Sequence, residues 1–349
     1  MRRDVMNSGK LGNRTFVTIK DVAKAAGVSI ATVSRILNCT GGVSETLEAR
    51  VREAIETLGY STNDAARTLK GKNSFSIGLI IPDIQNPFFP ALVRSIEDTA
   101  HASDHAVLLC NSDGDVEQEM RYIRFLHGKR VDGILLIGGQ QSNKSVELAE
   151  SLQMPIVLLD RRVKGEKLPA VFLDNAHGGR LAVEYLIDCG CQKIAFIGRR
   201  SLSSAEERFN GYCEALNDKN IEINRKLIQS QPFTFDGGYK GTKALLKEKV
   251  EFDAIFAGND VMAFGAIACL QSHGMNVPQD IQVVGFDDIW MAKWYNPSLT
   301  TLCQPVAEIG QAAVNLLLNL REKTEPKVLE MRFLPQLIIR DSTMKKSKE

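Results

Sequence analysis

The sequence lacks the features of several protein classes. It has no run of about 18 apolar residues, so no membrane-spanning helix is predicted. Only 7% of the residues are aromatic, but 44% are hydrophobic and 24% are charged, which is typical of a folded globular protein. The basic start, MRRDVMNSGKLGNR, has no apolar run behind it. We therefore expect no secretory signal and a cytoplasmic location.

Catalytic and metal-binding signatures are also missing. The seven cysteines are dispersed, and the nearest two, Cys189 and Cys191, do not have the spacing of zinc ligands, so reduced thiols are expected. Neither a Walker loop nor a G-x-G-x-x-G turn after a strand is present. The five histidines show no catalytic spacing. The sequence therefore predicts no enzyme activity, no metal and no cofactor.

Charge is distributed unevenly along the chain. Residues 1–73 hold 12 Lys and Arg against 7 Asp and Glu, whereas the whole chain holds 43 against 42. A basic segment on a mildly acidic remainder is typical of a protein in which one part meets nucleic acid. Residues 1–16 are polar and aperiodic, so we expect a disordered basic tail there. Residues 343–349 form a second basic tail.

Residues 17–60 contain three short helical patterns. In VTIKDVAKAAGVSIATVSRILN, a first amphipathic helix ends at Gly27 and Ser29 begins a second. This is the helix-turn-helix signature, whose second helix lies in the major groove of DNA. Arg35 can donate two hydrogen bonds to guanine, although a solvated Arg35 and a purely capping Ser29 are the alternative. The predicted DNA contacts here are Thr18, Ser29, Ile30, Ala31, Thr32, Ser34, Arg35 and Asn38.

From residue 75 onward, strand and helix patterns alternate. Helices are predicted at Pro90–Ala102, His177–Asp188, Tyr239–Lys247 and Val261–His273. Eight short apolar runs predict buried strands of parallel sheets at Ser76–Ile81, Ala106–Cys110, Gly133–Ile137, Ile156–Leu159, Ala170–Leu173, Lys193–Ile197, Ala254–Ala257 and Gln282–Phe286. This alternation predicts a doubly wound α/β fold, and eight strands favour two subdomains facing a cleft.

The head resembles the lactose-repressor (LacI/GalR) family, whose pattern T-I-K-D-V-A-x-x-A-G-V-S-x-x-T-V-S-R is matched at every fixed position. The resemblance extends from Val17 to Ser342. It implies an all-α helix-turn-helix head and an α/β core like that of periplasmic binding proteins. The implied domains are a head at 17–60, a hinge helix and linker at 61–74, and an effector-binding and dimerisation domain at 75–342. The N-subdomain would comprise about 75–174 and 305–324, and the C-subdomain about 177–303 and 328–342.

The resemblance also implies a hinge helix in the segment NDAARTLKG. Leu69 would wedge into the DNA minor groove, Ala66 would pack beside it and Lys70 would reach a phosphate. An ordinary core leucine is the alternative for Leu69. Two positions depart from the family pattern: Thr62 stands where proline is usual, and Ile30 occupies the first base-reading position. The operator sequence is therefore not carried over from the family.

Polar residues follow several predicted strands, where ligands bind in open α/β sheets. Their amide, carboxylate and guanidinium groups match sugar hydroxyls, and aromatic faces cover the C–H faces of a sugar ring. The set resembles that of periplasmic ribose-binding proteins, except that Gly138-Gly139 replace an asparagine. The resemblance implies effector contacts from Asn86, Phe88, Phe89, Asp160, Arg161, Arg208, Phe235, Asn259, Asp287 and Gln304.

Each of these assignments has a structural alternative. The two adjacent phenylalanines could belong to the core. Asp160 and Arg161 could form a structural ion pair. Either Asn259 or Asp260 caps the following helix, and we assign the cap to Asp260.

The sequence thus predicts a transcriptional repressor that binds double-stranded operator DNA as a homodimer, since no leucine heptad follows Asp341. A small sugar, ribose or a related pentose first, would control its operator affinity. A purine, a phosphosugar or a partner phosphoprotein is the alternative effector, and the sign of the response stays open. A sugar-binding transport protein is disfavoured because it would have a signal peptide and no helix-turn-helix.

Overall fold

The computed structural model describes residues 17–37, 42–60, 74–139, 142–161, 168–199, 201–321 and 329–345. The chain divides into two compact units, Met1–Ser74 and Phe75–Glu349. Within the described ranges, no helix has the length and apolar character needed to cross a membrane. In the same ranges, no group of three or more His, Cys, Asp or Glu residues could hold a metal ion.

The first unit is a bundle of three short helices, α1 (Ile19–Ala26), α2 (Ile30–Leu37) and α3 (Glu45–Leu58). At the start of α1, the Asp21 carboxylate accepts hydrogen bonds from the backbone N–H and the hydroxyl of Thr18, at 2.8 and 2.7 Å. Arg50 Nη2 donates to the Ala26 carbonyl oxygen at 2.6 Å and so ties α3 to the end of α1. The predicted helical head is confirmed. Its small core consists of Val22, Ala23, Ala26, Val33, Val51 and Ala54.

The second unit alternates strands and helices along most of its length. All eight strands predicted from apolar runs are confirmed, with ends shifted by at most two residues. In chain order the elements are β1 (Ser76–Ile81), α4 (Phe88–Ala102), β2 (Ala106–Asn111), α5 (Val116–Lys129), β3 (Ile134–Ile137), α6 (Lys144–Ser151), β4 (Ile156–Leu159), β5 (Ala170–Leu173), α7 (Asn175–Asp188), β6 (Ile194–Gly198), α8 (Ser203–Asp218), a 3-10 turn (Arg225–Leu227), β7 (Ile228–Ser230), α9 (Phe235–Lys247), β8 (Ala254–Ala257), α10 (Asp260–Ser272), β9 (Gln282–Val284), β10 (Thr301–Cys303), α11 (Val306–Arg321), β11 (Glu330–Phe333) and β12 (Gln336–Ile338).

Two parallel sheets form the frame of the second unit. One has six strands in the order β11-β5-β4-β3-β1-β2, and the other has four in the order β7-β6-β8-β9. Strands β10 and β12 form a separate antiparallel pair. Inner strands such as β3 and β8 are buried along their whole length, which explains their continuous apolar runs. The predicted architecture of two doubly wound subdomains is confirmed.

Strand β11 differs from the expected division into subdomains. We expected residues 328–342 in the C-subdomain, but β11 pairs in parallel with β5 at the edge of the six-stranded sheet, with Glu330 opposite Ala170 and Phe333 opposite Leu173. Its residues alternate between exposed and half-buried positions. It therefore lacks the apolar run by which the inner strands are recognised. Strands β7 and β12 are also not recognised from the sequence, because each has only three residues and none of them is fully buried.

Helices α7 and α8 cross in close contact at two glycines. A Cβ added to Gly211 would lie 1.9 Å from the Ala176 carbonyl oxygen, and one added to Gly179 would lie 2.1 Å from the Arg208 carbonyl oxygen. Contacts this short with backbone would force one helix to move. The two glycines therefore set the distance between α7 and α8, and with it the relative position of Asn175 and Arg208.

Gly211→Ala is expected to destabilise the second unit by about 1–3 kcal/mol, the usual cost of overpacking. The matched control is Gly128→Ala in α5, because nothing lies within 4 Å of its added Cβ. This control should be neutral, or stabilising by up to about 1 kcal/mol through the lower entropy of the unfolded chain. Urea denaturation of both variants measures the difference. Equal effects would show that the helix crossing relaxes freely.

Candidate functional site

A cleft of about 370 Å³ in the second unit is lined by residues from both parallel sheets. Asp160 follows β4 of the six-stranded sheet, and Arg199 and Asp287 follow β6 and β9 of the four-stranded sheet. The carboxyl ends of strands are where ligands bind in open α/β sheets. Seven of the ten effector residues expected from the sequence come together here: Asn86, Phe88, Phe89, Asp160, Arg208, Asp287 and Gln304.

Arg208 of α8 is a buried cation that lines this cleft. Its Nε donates to Asn175 Oδ1 at 2.8 Å, and its Nη1 donates to the Gly258 carbonyl oxygen at 2.5 Å. The guanidinium carbon lies 3.6 Å from the centre of the Phe286 ring, a cation–π geometry. Burial lowers the pKa of Arg208, and the nearby carboxyl of Asp287 opposes this shift. The guanidinium is thus fixed by backbone, amide and aromatic partners.

Two buried carboxyl groups flank Arg208. Asp160 Oδ1 accepts a hydrogen bond from Asn175 Nδ2 at 2.6 Å, and Asp287 Oδ1 accepts one from Gln304 Nε2 at 2.7 Å. Burial raises the pKa of each carboxyl to about 6, and the charge of Arg208 acts against the rise. Near neutral pH both are ionised acceptors beside a fixed donor. Such a set matches the adjacent hydroxyls of a polyol.

An aromatic pair forms the apolar side of the cleft. The rings of Phe88 and Phe89 meet edge to face, with centroids 5.2 Å apart. Phe88 packs against the core clusters of both subdomains. Asn86 Oδ1 accepts a hydrogen bond from the Phe88 N–H at 3.1 Å, which holds the turn that presents the pair. The aromatic faces can cover the C–H face of a sugar ring.

In the first unit, α2 presents the side chains expected to meet DNA. Ser29 Oγ accepts a hydrogen bond from the Thr32 N–H at 3.1 Å, so Ser29 is the N-cap of α2. Ile30 has 45% of its surface exposed, and Ser29, Ala31 and Arg35 are also exposed, as is Thr18 at the start of α1. Thr32 and Ser34 are half-buried. The expected contacts Asn38, Ala66, Leu69 and Lys70 lie outside the described residues.

Comparison with known families matches both units. Residues 74–337 match a family described as periplasmic binding proteins and sugar binding domain of LacI family. Residues 18–63 match the bacterial regulatory proteins of the lacI family. The chain belongs to the LacI family. The resemblance noted in the sequence is thereby confirmed.

Two curated relatives of this LacI-family chain match along almost its whole length. The ribose operon repressor of Halalkalibacterium halodurans is 41% identical over 329 residues, which are 94% of this chain and 97% of the relative. The HTH-type transcriptional repressor PurR of Photorhabdus laumondii subsp. laumondii is 36% identical over 334 residues, again 94% of this chain and 97% of the relative. Both relatives are named as repressors.

Two solved structures resemble the LacI-family chain. The lac repressor dimer bound to operator and the anti-inducer ONPF has a TM-score of 0.86 and 28% identity, and the match covers 95% of this chain and 100% of that chain. A LacI family transcriptional regulator from Enterococcus faecium with bound ribose has a TM-score of 0.71 and 31% identity, and covers 78% of this chain and 100% of its own.

Arg161 is one of three expected effector contacts that do not line the cleft of this LacI-family chain. Its guanidinium is buried and points to Glu119, with Nη1 3.0 and 2.9 Å from the two carboxylate oxygens. The ion pair considered in the sequence therefore joins Arg161 to Glu119, and not to Asp160. Asp160 and Arg161 both follow β4, and the left-handed backbone of Asp160 (φ 49°) ends the extended strand at that point.

Phe235 and Asn259 also stand apart from the cleft lining. Phe235 is the first residue of α9 and is 44% exposed, whereas Phe233, two residues earlier, lines the cleft. Asn259 caps α10, since its Oδ1 accepts a hydrogen bond from the Met262 N–H at 2.9 Å. The assignment of this cap to Asp260 was wrong. The Asp260 carboxylate instead accepts a hydrogen bond from the Ile289 N–H at 2.8 Å.

Several cleft residues escaped the sequence reasoning. Asp83, Asp113, Arg199, Ser204 and Phe233 all line the cleft. Asp83 and Arg199 directly follow the apolar runs of β1 and β6, so position after a strand was a usable signal for both. No comparable signal marks Ser204, which lies inside the first turn of a helix.

Asp160→Asn is expected to stabilise the ligand-free protein near pH 7.5 by roughly 1–3 kcal/mol. The reason is that burial raises the pKa of Asp160 to about 6, so its ionised form is costly in the folded state. A carboxyl whose pKa is raised on folding favours the fold below its unfolded pKa of 3.8, and this contribution is lost as the pH rises through about 6. The gain should therefore vanish near pH 4.

Urea denaturation at pH 7.5 and pH 4 measures this dependence. Asp113→Asn is the matched control, because Asp113 has a similar positive φ (54° against 49°) but is exposed. Both substitutions relieve the same backbone strain, and only the one at Asp160 removes a buried charge. A gain at Asp160 that is independent of pH, or equal to that of the control, would contradict the electrostatic explanation.

Proposed function

We propose that this LacI-family chain is a repressor whose operator affinity is controlled by a small sugar, ribose or a related pentose first. The observation that carries the proposal is the fixed guanidinium of Arg208 between the carboxylates of Asp160 and Asp287. These groups offer paired donors and acceptors at the base of a cleft with aromatic cover. The name of the ribose operon repressor and the ribose bound to the E. faecium regulator support the same ligand.

The size of the cleft supports a small ligand. Its volume of about 370 Å³ is near the lower end of the usual range of about 300–1,000 Å³ for ligand sites. This favours a monosaccharide over a larger sugar. The proposed effector contacts are the seven expected residues that line the cleft, together with Phe233.

A purine or a phosphosugar is the second candidate effector. The match to PurR favours it, because this relative is similar along the same 94% of the chain. Partner-protein control is a third possibility. The lining favours a neutral sugar, because hydroxyl groups can donate to the carboxylates of Asp160 and Asp287.

For the DNA side, we propose that two copies place their heads on a pseudo-palindromic operator. The proposed division is a head at 17–60, a hinge and linker at 61–74, and an effector-binding domain at 75–342. Arg35 would read a base edge, while Leu69, Ala66 and Lys70 would act in the hinge. Sugar binding would shift the dimer between states of high and low operator affinity, by the difference in its affinity for the two states.

The ligand proposal is tested by thermal denaturation of the full chain with D-ribose, D-ribose 5-phosphate, hypoxanthine and guanine. Ribose at about one hundred times its Kd is expected to stabilise the fold by about 2.7 kcal/mol, which raises the melting temperature. A shift with a purine alone would replace the ligand and keep the regulator. Silence with all four probes would contradict effector binding by these classes.

Operator binding and effector response should separate in two variants. Arg35→Ala is expected to weaken binding to the operator by about 1–3 kcal/mol and to leave ribose binding unchanged. Asp287→Asn should keep operator binding and lose the response to ribose, because it removes an acceptor beside Arg208. Fluorescence anisotropy with labelled operator, with and without ribose, measures both effects.

Arg52→Ala is the matched control for Arg35→Ala, because it removes the same charge from the same unit but from α3. A general electrostatic effect would weaken binding equally in the two variants. Equal losses would therefore contradict base reading by Arg35. Loss of operator binding in a well-folded Asp287→Asn variant would contradict the assignment of Asp287 to the effector site.

A further inference from the structure

A buried polar network joins three elements beside the cleft. Glu119 of α5 and Arg161 after β4 are each 1% exposed, and they form an ion pair at 2.9 Å. Ser145 of α6 donates its hydroxyl to Glu119 Oε2 at 2.6 Å. Arg161 Nη2 donates to the Ser142 carbonyl oxygen at 2.9 Å. The carboxylate of Glu119 is thus the anionic partner of the buried guanidinium of Arg161.

Only one glycine separates this network from the cleft. Gly139 lines the cleft with φ +97°, and a Cβ added to it would lie 2.8 Å from Glu119 Oε1 and 3.0 Å from Arg161 Nη1. The guanidinium of Arg161 therefore stands directly behind the cleft wall. Within the described part of the chain, its Nε has no hydrogen-bond partner.

The charged residues that line the cleft are mostly acidic. Among the described lining residues are four aspartates, Asp83, Asp113, Asp160 and Asp287, and two arginines, Arg199 and Arg208. The carboxylates exceed the cations, so a phosphate or a sugar acid would meet repulsion. A third guanidinium in the cleft would halve that excess.

We infer that Glu119 determines the ligand class of the cleft by holding Arg161 behind the Gly139 wall. With Arg161 withheld, the cleft takes an uncharged polyol and rejects a phosphorylated or acidic sugar. This inference rests on the proposed function, because it concerns the same effector site. Glu119 touches no ligand and acts through Arg161 alone.

The physical basis is the high cost of a buried charge without a partner. Removing Glu119 leaves the guanidinium of Arg161 buried without its anionic partner, which is strongly destabilising, so a new anion within its reach would be favoured as a partner. The acidic cleft is one glycine away, and an anionic ligand would supply a charge-assisted bidentate partner. Loss of Glu119 should therefore add a cation to the ligand site.

Calorimetric titration of the full chain with D-ribose and with D-ribose 5-phosphate tests the inference. The variants are Glu119→Ala, Arg161→Met and the double variant. We expect the wild type to prefer ribose. Glu119→Ala should shift the ratio of the two Kd values toward the phosphate by about tenfold or more, the effect of one hydrogen bond to a charged group. The double variant should return the ratio to that of the wild type.

A merely structural role for Glu119 would weaken both ligands alike and leave the ratio unchanged. An unchanged ratio in Glu119→Ala, an equal shift in the double variant, or a wild type that prefers the phosphate would each overturn the inference while sugar binding stands. A wild type that binds neither sugar would overturn the proposed effector class, and the inference with it. Glu119→Gln, which keeps the side-chain volume, replaces Glu119→Ala if the latter does not fold.

Discussion

The buried guanidinium of Arg208 is the group on which the cleft depends. Its partners are Asn175 at the start of α7 and the Gly258 carbonyl after β8. A cation taken out of water costs several kcal/mol unless partners compensate it, so α7, α8 and the end of β8 must keep their mutual positions. The glycine crossing of α7 and α8 provides this fixed geometry. Core packing and ligand chemistry therefore impose the same constraint on the second unit.

The inner strands could be predicted from sequence because burial on both faces leaves a recognisable trace. Strands β3, β4, β5 and β8 consist of four buried apolar residues each, and no exposed helix face would give such a run. Strand β11 gives no such trace, because its sheet partner lies about 160 residues earlier in the chain and its residues are only partly covered. Long-range pairing at a sheet edge is fixed by tertiary contacts.

The sequence predicted which strand ends meet at the candidate site. It predicted less well which single side chains point into the cleft. Asp160 follows the inner strand β4, Asp287 follows β9 at the edge of the four-stranded sheet, and both line the cleft, as expected. Arg161 also follows β4, but its side chain points to Glu119 of α5 and not into the cleft, and no pattern in the sequence connects these two residues. Phe235 begins α9 and is exposed, whereas Phe233, two residues earlier, lines the cleft. The direction of a side chain depends on the residue at which its strand or helix begins or ends, and these boundaries are the least certain part of a sequence-based prediction.

The same buried groups would let the proposed neutral ligand act on both subdomains of the second unit. In the ligand-free cleft, burial makes the ionised forms of Asp160 and Asp287 costly, as their raised pKa values show. Asn86, in the turn between β1 and α4, hydrogen-bonds to Asp287, which follows β9, so the two subdomains share a polar contact at the candidate ligand site. A polyol that donates hydrogen bonds to both carboxylates would lower the free-energy cost of their ionised forms. It could do so only in an arrangement in which both subdomains contact it. The ligand therefore favours one relative arrangement of the subdomains, and this difference in affinity is the whole of the free energy available for a response.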